Sequence, residues 1–350
     1  MKTVSYEESL RLKNPLYLDV RSPGEYAEDH IPGSLNLPVF DDQERSEIGK
    51  IYRLVGREEA VIRGSEIVGA RLGDIVARIR SLAGRDVVVT CYRGGMRSAS
   101  LVSLLGSLGF SLYQLEGGYK SYRRAVNAFL EKPPPLPPMF ILEGLTGTGK
   151  TGILQRLPHA VDLEGMAGHR SSVFGALGMK PRGQKMFESF VVKRLGELQG
   201  APFLVLEGEG RKIGNCHLPL FLVRLIQTAP ALLIEAEWER RVDIILRDYG
   251  GPWETGQIVA ILRSLEGRLG PRNAARMEAL FLQGDLREFI SLLLEKYYDP
   301  LYRHSLKKRN FLAVIDNRDA DGAAGDVLRV IGDYLERPGG AGNIPNICLK

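Results

Sequence analysis

The chain has 350 residues, 44% of them hydrophobic and 25% charged, an ordinary globular composition with enough apolar material for more than one core. No run of 18 apolar residues occurs, which excludes a membrane-spanning helix, and the opening Met1-Lys2-Thr3-Val4-Ser5-Tyr6-Glu7-Glu8 lacks the apolar stretch of a secretion signal, so a cytoplasmic location and no membrane partner are expected. Three cysteines without C-x-x-C spacing speak against a disulfide framework or a zinc ribbon, and a net charge of +5 admits a polyanion such as RNA as partner.

From residue 1 to 131, strands and helices alternate. Strands are expected at 16–20, 34–37, 86–90 and 111–115, with one long helical stretch from about Glu44 to Leu82 and a helix from Tyr119 to about Leu130. Such alternation implies a parallel sheet covered on both faces. The third strand, Asp86-Val87-Val88-Val89-Thr90, runs into Cys91-Tyr92-Arg93-Gly94-Gly95-Met96-Arg97-Ser98 and then into an apolar-periodic helix. A cysteine there lies under the unpaired N–H groups of a helix N-terminus. Those groups, with Arg93 and Arg97, favour the thiolate. Cys91 is therefore the candidate nucleophile or chalcogen carrier, with a small buried residue closing a strand as the bland alternative. Gly94, Gly95, Met96 and Ser98 of the same loop are candidate substrate contacts. Tyr92 and Tyr119 flank it, and either stack on a base or pack within the domain.

The stretch Glu131-Lys132-Pro133-Pro134-Pro135-Leu136-Pro137-Pro138 holds five prolines in eight residues, which neither a helix nor a central strand accommodates. Residues 1–131 and 139–337 are thus read as two domains joined by a stiff linker, 132–138. The Gly-rich tail 338–350, with little to bury, is expected to be disordered.

Beyond the linker, strands are expected at 139–143, 160–163, 203–206, 231–235 and 311–315, and 254–299 reads as wholly helical. The first of these strands leads into Gly144-Leu145-Thr146-Gly147-Thr148-Gly149-Lys150-Thr151, a full G-x-x-x-x-G-K-[ST] pattern in its strand–loop–helix setting. Glycines at 144, 147 and 149 let the backbone curl so that its N–H groups, with those of Thr146 and Thr148, cradle phosphate. Lys150 would reach the terminal phosphate, and the Thr151 hydroxyl suits a Mg²⁺ ion. Glu207 and Glu209 follow an apolar strand, so Glu207 is a second candidate Mg²⁺ ligand; the alternative is a solvated acidic pair. Asp162 and Glu164 are weaker candidates of the same kind. His169-Arg170 could grip phosphate or RNA, and Arg211-Lys212 could meet a diphosphate or a tRNA backbone. Lys307-Lys308-Arg309 is either an RNA contact or a solvated turn. Cys216 and Cys348 have no chemical setting.

Leu18-Asp19-Val20-Arg21-Ser22-Pro23-Gly24-Glu25-Tyr26 and His30-Ile31-Pro32-Gly33-Ser34-Leu35-Asn36 resemble the rhodanese domain, in which the loop at Cys91 carries a persulfide or perselenide, Asp19 and Arg21 hold the domain together, and Gly117-Gly118 turns near the cysteine. A rhodanese-like parallel-sheet domain joined to a P-loop NTPase-like α/β domain with a helical segment resembles the tRNA 2-selenouridine synthase family. The cysteine loop, Val161-Asp162-Leu163-Glu164-Gly165 through Gly175, and Leu206-Glu207-Gly208-Glu209-Gly210-Arg211-Lys212-Ile213-Gly214 carry that resemblance. Ser171 stands where the family more often has Gly, and Gly210-Arg211 where an acid-Ser-Arg run is more usual. Gly64, a lone glycine in a helical pattern, falls where the family also carries one, which implies close approach of another backbone or of RNA.

The resemblance implies a transferase acting on the wobble uridine (position 34) of tRNA already thiolated at C2. Sulfur is replaced by selenium from selenophosphate, by way of an S-selanyl form of Cys91 and an S-geranyl-2-thiouridine made from geranyl diphosphate. It implies tRNA as partner, a selenophosphate synthetase as the source of the selenium donor, and no tightly bound cofactor; Mg²⁺ is expected only from the Thr151 and Glu207 motifs. The motifs alone also admit a rhodanese-type sulfurtransferase fused to a nucleotide-dependent kinase or ATPase. A third reading, a non-catalytic regulator, is weakened by the intact cysteine loop.

Overall fold

Residues 133–138 form neither helix nor strand, as expected where proline rings lock φ and remove amide donors. The computed structural model describes residues 2–249 and 253–337; the tail 338–350, with Cys348, lies outside the described residues. The chain divides into two units, one of residues 1–134 with the short stretch 188–193, the other of 135–187 and 194 onward.

The first unit is built on five parallel strands: β1 (Lys2–Val4), β2 (Pro15–Asp19), β3 (Leu35–Asn36), β4 (Asp86–Thr90) and β5 (Leu112–Leu115). Their spatial order is β1-β5-β4-β2-β3. Val87, Val88 and Val89 of β4 are buried, because their side chains alternate between two covered faces. One face packs Val87 and Val89 with Leu18, Ile75, Ile79, Leu101 and Leu105, the other packs Val88 with Leu115, Tyr119 and Val126. The chain winds from β2 to β3 on one side and from β4 to β5 on the other. The strand order therefore reverses between β2 and β4, and the carboxyl ends of those strands open a crevice. Strand β1 was not anticipated; three residues on a sheet edge carry too short a pattern to register.

The long helical stretch is a hairpin of two helices, Asp42–Leu54 and Arg57–Arg80. Periodicity alone could not see the break. Gly56 sits at φ +154°, a conformation side chains avoid, and its N–H and that of Val55 both bond to Ile51 O, closing the first helix. Asp41 and Glu44 form a capping box at its start.

The second unit repeats the logic with β6 (Met139–Glu143), β7 (Ala160–Val161) and β8 (Leu204–Glu207), followed by a short antiparallel hairpin of β9 (Lys212–Ile213) and β10 (Cys216–His217), then β11 (Ala231–Glu235) and β12 (Val314–Asp316). The five-stranded sheet is parallel, in the order β12-β11-β6-β8-β7. β6 sits where the winding reverses, so the loop after it again opens at a switch point. The hairpin escaped sequence reading, and it buries Cys216, whose Sγ lies 3.3 Å from Arg182 O. The expected strand at 311–315 begins later, since Phe311 and Leu312 are spent on the core before ladder pairing starts.

The region 254–299 is not one helical run. It breaks at Gly270, with Pro271 opening the next helix, and at Gly284, both glycines having positive φ. It then continues through the π-helical turn Leu294–Tyr298. These helices close over Ile258, Leu262, Met277, Phe289 and Leu293 as a core of their own.

Candidate functional site

Strand β4 delivers Cys91 to the carboxyl edge of the first sheet, and Gly94 at φ +63° turns the chain into the helix Met96–Ser107. Tyr119 N donates to Cys91 O at 2.9 Å, Lys120 N to Tyr92 O at 3.0 Å, and Gln114 Nε2 to Gly94 O at 2.7 Å. The loop is thereby clamped from β5 and the following turn. That turn needs Gly118 at φ +59°, because a Cβ there would strike Cys91 O and Gly94 N. Cys91 is 3% exposed; its Sγ lies 3.2 Å from Ser98 Oγ and 3.9 Å from Gly95 O. Gln114 Nε2 also donates to Ser98 Oγ at 3.1 Å, which fixes the hydroxyl beside the sulfur.

The two loop arginines part company. Arg97 is paired with Glu25 at 2.8 Å, whereas exposed Arg93 leans over the Tyr92 ring, 5.9 Å from its centroid. Asp19 and Arg21 form a buried pair at 2.6 Å, and Arg21 also donates to Asp29 O and lies over the buried Tyr119 ring. Tyr92 is open to solvent.

Cys91, Gly95 and Met96 open on a cavity of about 920 Å³. The helix hairpin 42–80 forms its far wall, with Ile48, Val61, Val68 and Leu72, and Leu101 and Leu104 complete it. Gly64 is part of this wall: a Cβ there would come within 3.2 Å of Phe40 Cζ, so its neighbour is an aromatic ring and not a backbone.

In the second unit the phosphate-binding loop follows β6. Gly144, Gly147 and Gly149 have φ of +153°, +81° and +83°. Added side chains would meet Ile234 O, Arg241 O and the Asn317 amide respectively, so these positions admit only glycine. Lys150 opens the helix Lys150–Leu154 and donates from Nζ to Gly144 O at 2.9 Å and Leu145 O at 3.2 Å. Thr148 is buried and donates to Leu145 O.

Three residues that no motif announced brace this loop. Arg241 Nε and Nη2 donate to Thr146 O at 3.0 and 2.8 Å, and Arg241 is itself held by Asp299 in a buried ion pair. Asn317 Nδ2 donates to Thr148 O at 2.7 Å. Arg241 and Asn317 lie 95 and 169 residues from the loop carbonyls they hold, which is why spacing could not find them.

Strand β8 ends in Glu207, and its carboxylate, those of Glu164 and Glu209, all lie within 4.8 Å of one another. Burial, then repulsion from Glu164, pushes Glu207 up to about 8. Burial first, then Glu164 and Glu207, pushes Glu209 well above the ordinary carboxylate range; burial likewise raises Glu164. Lys150 and Thr151 oppose the shift of Glu207. Glu207 Oε1 is buried with no hydrogen-bond partner among the described residues. Three hard oxygen donors around one orphaned atom fit a divalent cation. Asp162 is not one of the three: it caps the helix Leu163–Ala167 by accepting from Gly165 N at 2.7 Å, although its charge adds to the upward shifts of Glu164 and Glu207.

The raised pKa of Glu207 makes folding stability depend on pH. In the unfolded chain Glu207 returns to about 4.5, so the folded state holds its proton more tightly. The stabilisation from that proton is complete below 4.5 and is lost as pH rises towards about 8. Chemical denaturation in chelator between these limits should show wild type losing stability relative to Glu207→Gln; parallel curves would refute the assignment.

The remaining basic candidates divide into exposed and committed. Arg211 and Lys212 are exposed at the hairpin, and Lys307 and Lys308 are exposed after the last helix of the helical region. Arg309 is instead paired with Glu143 at 2.5 Å and donates to Ile226 O and Ala229 O. Arg170 spends its guanidinium on Leu177 O and Asp248 O and lies over Tyr249. His169 packs against Gly175 and Gly214; burial lowers its pKa, and its Nδ1 has no partner among the described residues.

The family model for the tRNA 2-selenouridine synthase AAA domain matches residues 137–258, and that for the rhodanese-like domain matches residues 5–125. The tRNA 2-selenouridine synthase of Cupriavidus pinatubonensis is 34% identical over 83% of this chain and 89% of its own length. Those of Chromohalobacter salexigens and Sulfurovum sp. are each 32% identical, over 88% and 86% of this chain and 92% and 91% of theirs. A rhodanese-type loop with its cysteine intact, a complete phosphate-binding loop and this likeness along both units together mean that the chain belongs to the tRNA 2-selenouridine synthase family.

Proposed function

We propose that this chain is a selenotransferase and geranyltransferase acting on the 2-thiolated wobble uridine (position 34) of tRNA. The observation that carries the reading is one chain holding both a clamped strand-end cysteine open to a large cavity and a braced phosphate-binding loop. Cys91 serves the exchange at C2 of the base, in which selenide-level selenium from selenophosphate bonds to C2, geranyl thiolate leaves, and water takes the phosphoryl group away as phosphate. The loop 144–151 binds the diphosphate of geranyl diphosphate, since a backbone nest recognises phosphate oxygens and not the group they carry. Geranylation turns the C2 sulfur into a better leaving group.

Glu164, Glu207, Glu209 and the Thr151 hydroxyl would hold a Mg²⁺ ion, which when bound neutralises diphosphate charge. Exposed Arg211, Lys212, Lys307 and Lys308 supply phosphate contacts to tRNA. A selenophosphate synthetase supplies the donor, in the cytoplasm; among the described residues no helix is long and apolar enough to cross a membrane.

Nucleoside mass spectrometry of tRNA from cells with and without this chain, grown with selenium, tests the reading. Loss of 2-selenouridine on deletion is expected, and its persistence refutes the assignment. Lys150→Ala should weaken geranyl diphosphate binding at least about tenfold, because charge-assisted hydrogen bonds are about twice as strong as neutral ones. Separate titrations of geranyl diphosphate and of ATP against wild type and variant measure this. Preference of the wild type for ATP would favour the sulfurtransferase–kinase alternative.

A further inference from the structure

The cavity beside Cys91 is larger and more apolar than selenium delivery requires. Selenophosphate is a small, highly charged anion, whereas about 920 Å³ of space walled by Ile48, Val61, Val68, Leu72 and Leu104 suits a hydrocarbon. Two glycines in that wall are informative. Gly49 and Gly69 lie inside the helices Asp42–Leu54 and Arg57–Arg80, where glycine is disfavoured against alanine. Neither is demanded by the fold. A Cβ on Gly69 would meet nothing within 4 Å, and one on Gly49 only the tip of Arg45 at 3.9 Å. Both keep space open that no part of the described protein fills.

The mouth has a matching character. Tyr52, Met96 and Tyr92 are 56%, 46% and 43% exposed there, large side chains left to water in one place. Arg45, Arg53, Arg57 and Arg93 line the same cavity. An apolar interior with cationic groups around it suits a ligand with a hydrocarbon arm and an anionic body.

We propose that the cavity holds the hydrocarbon chain of an S-prenylated 2-thiouridine, with the base towards Cys91 and the neighbouring phosphates towards the arginines. The proposal rests on the reading of the preceding section and deepens it. Burial of the chain would distinguish the prenylated base from plain 2-thiouridine before selenium is delivered, so that the intermediate is retained at the cysteine.

The test uses the full chain and anticodon stem-loop RNAs whose 2-thiouridine sulfur carries methyl, butyl or geranyl, with affinities read by competition anisotropy. Each buried methylene strengthens binding up to roughly fourfold, so affinity should climb from methyl to geranyl by at least about a hundredfold. Gly69→Trp places an indole in the open space and should collapse that ratio to below about tenfold, while Gly69→Ala should keep most of it. A flat series with wild-type protein overturns the proposal, and needs no variant to fold. So does a Gly69→Trp protein with native circular dichroism that retains the full ratio. A rising series alongside tRNA that keeps its selenium after deletion would leave the cavity assignment standing and sink the enzymatic reading. A flat series with selenium lost does the reverse.

Discussion

Replacing Cys91 with serine should abolish 2-selenouridine formation, by at least about a thousandfold, the scale on which loss of a nucleophile acts in other enzymes. The change is nearly isosteric. A hydroxyl at the Cys91 position remains within hydrogen-bond reach of Ser98 Oγ, now 3.2 Å from the sulfur, so the loop clamped by Gln114 and Tyr119 should persist. What is lost is chemical: a serine oxygen is a poor nucleophile at neutral pH and does not carry selenium as sulfur does. Geranylation of 2-thiouridine should survive, because the donor diphosphate is assigned to the other unit. Nucleoside mass spectrometry of tRNA incubated with each protein reads both products. Loss of both products from a folded variant would show that the two reactions are not divided between Cys91 and the phosphate-binding loop. Undiminished selenation would remove Cys91 from the reaction.

Replacement of Arg241 by methionine should cost up to about 3–5 kcal/mol of stability, since it leaves the buried Asp299 with only the longer 3.4 Å contact to the exposed Arg303. It should also weaken diphosphate binding. Thr146 O loses both guanidinium donors, and the loop that presents amides to phosphate loses its outer support. A second replacement, Asp299→Leu, removes the stranded charge and should recover much of the stability, because a buried pair exchanged for apolar groups is often neutral. It should not restore the donor affinity. Denaturant titration and geranyl diphosphate titration of both variants separate the two effects. A stability change below about 1 kcal/mol for the single variant would show that the pair is solvated rather than buried.

Much of the chemistry could be read from the sequence because it is contiguous. A β-branched strand, a loop with Cys91 and a helix follow one another without interruption, and so do β6, the glycines at 144, 147 and 149, Lys150 and the next helix. In each, hydrophobic period and glycine position are local properties, so a dozen residues specify the arrangement. The covered parallel sheets followed for the same reason, from buried strands alternating with helices. Local pattern was incomplete where one glycine interrupts a periodic run, as at Gly56, where the expected helical stretch from Glu44 to Leu82 is a hairpin of two helices.

Tertiary structure alone decided the partners. Charge in a sequence does not say what neutralises it: Arg97 turned to Glu25, Arg170 to two carbonyls and Arg309 to Glu143, each through contacts 7 to 166 residues away. Gln114, Arg241, Asp299 and Asn317 act on the two loops from distant elements, and Glu164 joins Glu207 and Glu209 because β7, which leads into its short helix, pairs with β8. The cavity is the clearest case. It is a volume between the cysteine loop and a helix hairpin that the sheet order brings together, and empty space has no residue of its own in the sequence.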